Sequence, residues 1–187
     1  MVYGEDVPAH AQCVVQDPEA ADLLFLGTEE GLYFSVDRGA NWRPWTHDVP
    51  TVPVRDMAIQ AREGDLVLGT FGRAAYVIED LSPLRALANE GAALLNATFR
   101  AFDASSGYQV PRPRPAGSRF MADHVWQGEN RNRNAHGHVY VQADTAEVHS
   151  EMDVVILTAE GDTLRRMTQE VEAVSYTHLR AHETATY

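Results

Sequence analysis

The chain has 187 residues, 44% of them hydrophobic and 22% charged, a balance that folds rather than staying disordered. Its 27 acidic residues outnumber 15 basic ones, all arginine, and the net charge of −12 disfavours nucleic acid and anionic membranes, which select clustered positive charge. Cys13 is the sole cysteine, which excludes an intrachain disulfide and a cysteine-rich zinc site. No apolar run approaches the ~20 residues that span a bilayer, so membrane insertion is not expected. The opening MVYGEDVPAHAQ has neither the basic nor the apolar region of a secretory signal. Thirteen glycines and nine prolines imply many turns, as in an all-β protein.

Taken in order, the chain spells one unit twice. A strand at 13–16 (CVVQ) is followed by a polar turn at 17–22, a strand LLFLGT at 23–28 and a strand GLYFSV at 31–36. The second pass gives VRDMAIQ at 54–60, a turn AREGD, then LVLGT at 66–70 and AAYVIE at 74–79. The pairs Gly27-Thr28 and Gly69-Thr70 lie 42 residues apart. β-Branched and aromatic residues in period-two alternation predict strands in both passes. A repeat of ~40–45 residues with several strands each is the signature of propeller blades.

The first pass ends in SVDRGANW, and Ser35, Asp37, Gly39 and Trp42 fill every defined position of S-x-D-x-G-x-x-W. Here the chain resembles the Asp-box, or BNR-repeat, β-propellers of bacterial neuraminidases and sortilin-type proteins. The resemblance implies a structural hairpin, with a fourth strand over 42–46, on the rim and away from the ligand-binding funnel. Asp37 would accept turn amides, Gly39 would take a positive φ, and Trp42 would pack over the turn. Asp37 as a catalytic acid or calcium ligand is the alternative. Residues 49–87, VPTVPVRDMAIQAREGDLVLGTFGRAAYVIEDLSPLRAL, are similar to the closing blade of large bacterial proteins of the BNR-repeat glycosyl hydrolase type. Relatives of that type often carry His-Gly-Arg-Gly where this chain has Phe71-Gly72-Arg73-Ala74.

The expected fold is therefore all-β. It comprises an incomplete propeller of two four-stranded blades (1–103), a Pro/Arg linker (104–119) and a partial immunoglobulin-like sandwich (120–173). Two blades do not close a propeller, which takes four or more. The remaining blades of a longer chain are the expected intramolecular partners. Within 86–103 the sequence predicts a short helix or turn, then a strand near 97–102. PRPRP at 111–115 favours extended polyproline. Strands are predicted at 137–143, 152–161 and 163–171, and the last two resemble a hairpin of the sandwich domain that follows such propellers. VSYTHLRAHET, 174–184, is similar to a translated sequencing adapter, so 174–187 is expected to be an artefact. Its alternative is a polar helix pairing His178 with His182.

No residue is assigned as catalytic. The candidates are Arg55, Asp56, Arg73 and Tyr76, because a sialidase needs arginines for the substrate carboxylate, a tyrosine nucleophile and acidic partners. Asp65 and Glu79 are further carboxylates of unknown separation. His136 and His138 share one face of a strand, with His124 or His149 as further candidates, but nothing supplies a specific zinc set. Asn96-Ala97-Thr98 fits a glycosylation sequon. No cofactor and no metal are expected. The expected function is a non-catalytic scaffold, exported, that binds a glycan or a protein. The alternative is part of a sialidase-like glycoside hydrolase.

Overall fold

The computed structural model describes residues 7–104, 136–142, 150–171 and 178–180. It is mostly β, arranged as small antiparallel sheets. Strands β1 (Ala11–Gln16), β2 (Leu24–Thr28), β3 (Gly31–Ser35) and β4 (Arg43–Pro44) form one sheet in sequence order. Strands β5 (Val54–Gln60), β6 (Asp65–Thr70) and β7 (Ala75–Ile78) form a second. The second sheet thus has three strands, not the four expected. After β7 the chain turns at Asp80, at φ 55°, and enters helix α1 (Ser82–Glu90) instead. Pro83 explains this: it lacks the N–H of a ladder strand and suits the first turn of a helix. No Gly-x-x-Trp follows to build the hairpin that a fourth strand needs.

Helix α2 (Ala92–Leu95) leads into β8 (Phe99–Ala101). Strand β9 (His136–Val141) pairs with β8 on one side and with β12 (His178–Arg180) on the other. Strands β10 (Ser150–Leu157) and β11 (Thr163–Val171) form a separate hairpin. Among the described residues the sheets close into no barrel or propeller, and β9 joins β8 rather than the β10–β11 hairpin. Residues 105–119 of the linker, 120–135, and all of 174–187 apart from β12 lie outside the described residues.

The first two sheets repeat one another in detail. Between β1 and β2 the register slips between Ala11 and Cys13, opposite Thr28 and Gly27. Between β5 and β6 it slips between Val54 and Asp56, opposite Thr70 and Gly69. Gln12 and Arg55 are therefore equivalent extra residues, 43 apart. The following hairpins are tied alike. Thr28 Oγ1 donates to the Gly31 carbonyl at 2.9 Å, and Thr70 Oγ1 donates to the Ala74 carbonyl at 2.5 Å.

The two sheets stack by unlike faces. Cys13, Val15, Phe25, Leu32 and Phe34 of the first sheet pack against Met57, Ile59, Leu66, Leu68, Tyr76 and Ile78 of the second. By register, the second-sheet equivalents of Val15, Phe25, Leu32 and Phe34 are Ala58, Val67, Ala75 and Val77, on the opposite, outward face. Val77 is 53% exposed there. The arrangement is head-to-tail, the geometry of repeats added in one direction. Leu23, Phe25, Leu66 and Leu68 are fully buried, and each stabilises the stack by ~1.5–3 kcal/mol. Gly27 permits the approach. A Cβ there would lie 2.6 Å from Cys13 Sγ and 2.9 Å from the Val54 carbonyl oxygen.

Helix α1 closes one end of the stack. Leu81, fully buried, donates its N–H to the Gly64 carbonyl at 2.8 Å. Arg85 reaches back to the β1–β2 turn, with Nη2 3.0 Å from Asp17 Oδ2. Asp17 is buried, and its Oδ1 also accepts the amides of Glu19 and Ala20 at 2.8 Å each. One ion pair therefore bolts the turn of the first sheet to the helix that follows the second.

Candidate functional site

The strand register puts the functional candidates at two opposite ends of the stack. Ser35 ends β3, opposite Leu24 at the start of β2, so the 35–42 turn lies at the end where β1 finishes. Arg55 and the neighbouring Asp56 lie near the start of β5, at the end where β6 finishes and β7 begins.

The 35–42 turn is built around Ser35 and Asp37. Ser35 Oγ donates to Asp37 Oδ1 at 2.7 Å and accepts the amide of Gly39 at 2.8 Å. Asp37 Oδ1 also accepts the Asn41 amide at 2.9 Å, and Oδ2 accepts the Asn41 side-chain amide at 2.6 Å. These donors, Asn41 first, hold the Asp37 carboxyl below its ordinary value. Gly39 sits at φ 84°, with the Trp42 ring 3.2 Å from where a Cβ would stand. Trp42 packs on Val7, Leu26 and Tyr33 on the outer face of the first sheet. Ser35, Asp37, Gly39 and Trp42 are thus all engaged in holding the turn. Phe34, Asn41, Trp42 and Arg43 help to line a half-open cleft of ≈ 390 Å³ beside it.

The other end carries a different chemistry. Arg55 Nη1 donates to Gln12 Oε1 at 2.7 Å, so the two equivalent bulge residues clasp each other across the sheets. Gln12 in turn donates to Glu29 at 3.2 Å. The Arg55 guanidinium sits 5.4 Å from the centroid of Phe71, a ring 68% exposed on the β6–β7 turn. Arg73 is exposed on the same turn. Gln12 and Glu29 escape a reading of the sequence alone, and Phe71 stands out there only as the residue in place of a histidine. Only the matching register slips, 43 residues apart, point to Gln12 as the counterpart of Arg55.

Arg55 and Arg73 therefore lie at one strand end, but Tyr76 does not join them. It is paired with Leu68 and packs into the core between the sheets. Asp56, opposite Gly69, belongs to the other face of the same sheet, and its carboxylate accepts the Met57 amide. Asp65 is buried and accepts the Asp80 amide at 3.0 Å, fixing the corner before α1, while Glu79 is exposed. Cys13 is half-buried, and burial raises its thiol, helped by Asp56 and opposed by the Gly27 amide.

His138 is engaged by Asp80, with Nε2 3.1 Å from Oδ2. Burial alone would raise the Asp80 carboxyl, but His138 and Ser82 outweigh it and hold it at about 2. Among the described residues no group of three His, Cys, Asp or Glu side chains gathers to hold a metal. His124, His149 and His182 lie outside the described residues. Asn96 is exposed at the end of α2. Among the described residues no helix is long and apolar enough to cross a membrane. Comparisons with family models, with curated proteins and with solved structures returned no match for this chain.

Proposed function

We propose that the chain carries two successive units of an Asp-box β-propeller and acts as a non-catalytic scaffold that binds a glycan through the strand-end surface around Phe71. The observation that carries this reading is the exposed Phe71 ring with the Arg55 guanidinium over it, held from behind by Gln12. An exposed aromatic face stacks on the apolar face of a sugar ring, and a guanidinium donates to hydroxyls or to a carboxylate. Head-to-tail stacking of matched units and the closed hydrogen-bond set of the 35–42 turn support the propeller assignment. Residues 120–173 are read as the opening of an immunoglobulin-like sandwich, with the β10–β11 hairpin as its support.

Binding is favoured over hydrolysis by the separation of the candidates. A tyrosine nucleophile packed in the core and an acid on the opposite sheet face do not converge on one substrate atom. The test is a panel of immobilised glycans, sialosides included, with aryl-glycoside hydrolysis assayed in parallel. The wild-type chain should retain a glycan class, and Phe71→Ala should weaken retention about tenfold, as for loss of one aromatic anchor. Turnover of an aryl-glycoside that is lost in Tyr76→Phe would overturn the reading in favour of a sialidase-like hydrolase. Retention of no glycan at all would remove the glycan assignment.

A further inference from the structure

We infer that Glu29 is a positioning residue for the surface around Phe71: it orients the side-chain amide of Gln12, and through that amide it holds the Arg55 guanidinium over the ring. The inference rests on the reading of that surface as the binding site, and it adds a residue that acts at one remove from the ligand.

The repeat brings the four residues into one row. Gln12 and Arg55 are the extra residues of the two register slips, and Gly27-Thr28 matches Gly69-Thr70. Glu29 is thus the counterpart of Phe71, each the first residue after its Gly-Thr pair. In both units the bulge residue reaches the residue that follows the threonine. Gln12 Nε2 donates to Glu29 Oε1 at 3.2 Å, and the Arg55 guanidinium lies 5.4 Å from the Phe71 centroid. The 2.7 Å bond from Arg55 Nη1 to Gln12 Oε1 joins the two pairs into a continuous strip, Glu29–Gln12–Arg55–Phe71. Among the described residues no carboxylate pairs with Arg55, so the Gln12 bond and the ring are what place it.

The chemistry gives the strip a direction. A glutamine amide has an acceptor end and a donor end of nearly the same shape, and a half turn about its last bond exchanges them. A guanidinium has donors only, so Gln12 holds Arg55 only while Oε1 faces it. Turned the other way, the amide sets its own N–H groups against those of Arg55, and the bond is lost. The Glu29 carboxylate has acceptors only, so it keeps the Gln12 NH2 on its own side and leaves Oε1 for Arg55. Glu29 is itself anchored, because its backbone amide donates to the His10 carbonyl at 3.1 Å. Its side chain is exposed, so its removal leaves the core untouched.

NMR of the full chain tests this without any ligand. The ring current of Phe71 should move the Arg55 δ-methylene protons upfield, and Phe71→Leu should abolish that displacement. Glu29→Ala should lose at least half of it and weaken glycan retention about threefold, the equivalent of one exposed hydrogen bond. Glu29→Gln, which keeps an acceptor oxygen, should retain most of it. Gln12→Glu presents an acceptor whichever way it turns, so adding Glu29→Ala to that variant should change neither the displacement nor the retention. The inference is overturned if the wild type shows no Phe71-dependent displacement, or if Glu29→Ala leaves it intact. It is also overturned if Glu29→Gln is as damaging as Glu29→Ala, or if Glu29→Ala costs as much retention in the Gln12→Glu variant, since Glu29 would then act by its charge and not through the amide. A chain that retains no glycan, yet shows an Arg55 displacement dependent on Glu29 in this way, upholds the positioning role and removes only the glycan reading. Circular dichroism of each variant confirms that the fold is kept.

Discussion

Adding one methyl group to Gly27, and separately to Gly69, separates the two positions that the repeat makes equivalent. In Gly27→Ala the new Cβ would stand 2.6 Å from Cys13 Sγ, 2.9 Å from Val54 Cγ1 and 2.9 Å from the Val54 carbonyl oxygen. Two of those atoms belong to the stacked sheet and one is backbone, so relief requires the sheets to part. Overpacking of this kind costs ~1–3 kcal/mol. In Gly69→Ala the nearest atoms are 3.5 and 3.8 Å away, so the methyl group is accommodated. Replacing a strand glycine then stabilises by about 0.5 kcal/mol, through lower chain entropy in the unfolded state. The difference between the variants is about 2–3 kcal/mol. At ~2–4 °C per kcal/mol for a chain of this size, Gly27→Ala should melt about 4–12 °C below Gly69→Ala. Scanning calorimetry reads the two midpoints. Equal effects at both positions, or a larger loss at Gly69, would refute the stacking of the second sheet on the first.

Three further outcomes follow from single contacts. Asp37→Ala removes the acceptor for the Ser35 hydroxyl and both Asn41 donors; it should cost about 1.5 kcal/mol in urea unfolding while glycan retention is unchanged. Because the Asp37 carboxyl is held below its ordinary value, its contribution is present above the unfolded-state pKa and fades as pH falls through the folded one. Arg85→Met leaves the buried Asp17 carboxylate without its guanidinium and should cost ~3 kcal/mol; adding Asp17→Asn should recover part of that, read as a coupling energy in a double-mutant cycle. Asp80, held at about 2 against an ordinary 3.8, contributes about 2 kcal/mol at neutral pH. That stability is present above the unfolded value and is lost as pH falls through the folded one. The stability gap between wild type and Asp80→Asn should therefore narrow on acidification, and a gap that stays constant would deny the ion pair with His138.

The strands of the first two sheets were legible because alternation and turn chemistry are local signals, and VRDMAIQ coincides with β5. The 35–42 turn was legible for the same reason, since Ser35, Asp37, Gly39 and Asn41 bond to one another within seven residues of chain. The absent fourth strand of the second sheet was marked in the sequence by Pro83 and by the lack of a glycine and tryptophan after Asp80. The chain nevertheless reads as a second copy, and copies invite the assumption of equal length. The Arg55 cluster was less legible. Arg55 stood out as a charge at a strand start, but its partner Gln12 is brought from 43 residues away by the stacking of sheets. Tyr76 lies in the same repeat unit as Arg55 and matches a sialidase's need for a tyrosine, but strand parity puts its ring in the core. The pairing of β8 with β9 joins segments separated by more than thirty residues, and no local signal carries it.

The two-unit reading and the strand-end surface around Phe71 depend on the first sheet lying on the second by unlike faces. An NMR cross-relaxation measurement between the Gly27 α-protons and the Val54 γ-methyls reads that contact directly. A strong cross-peak is expected, because a Cβ at Gly27 would stand 2.9 Å from Val54 Cγ1. Its absence, or cross-peaks from Val54 to Val14 on the opposite face of the first sheet, would contradict the stacking and the function proposed on it.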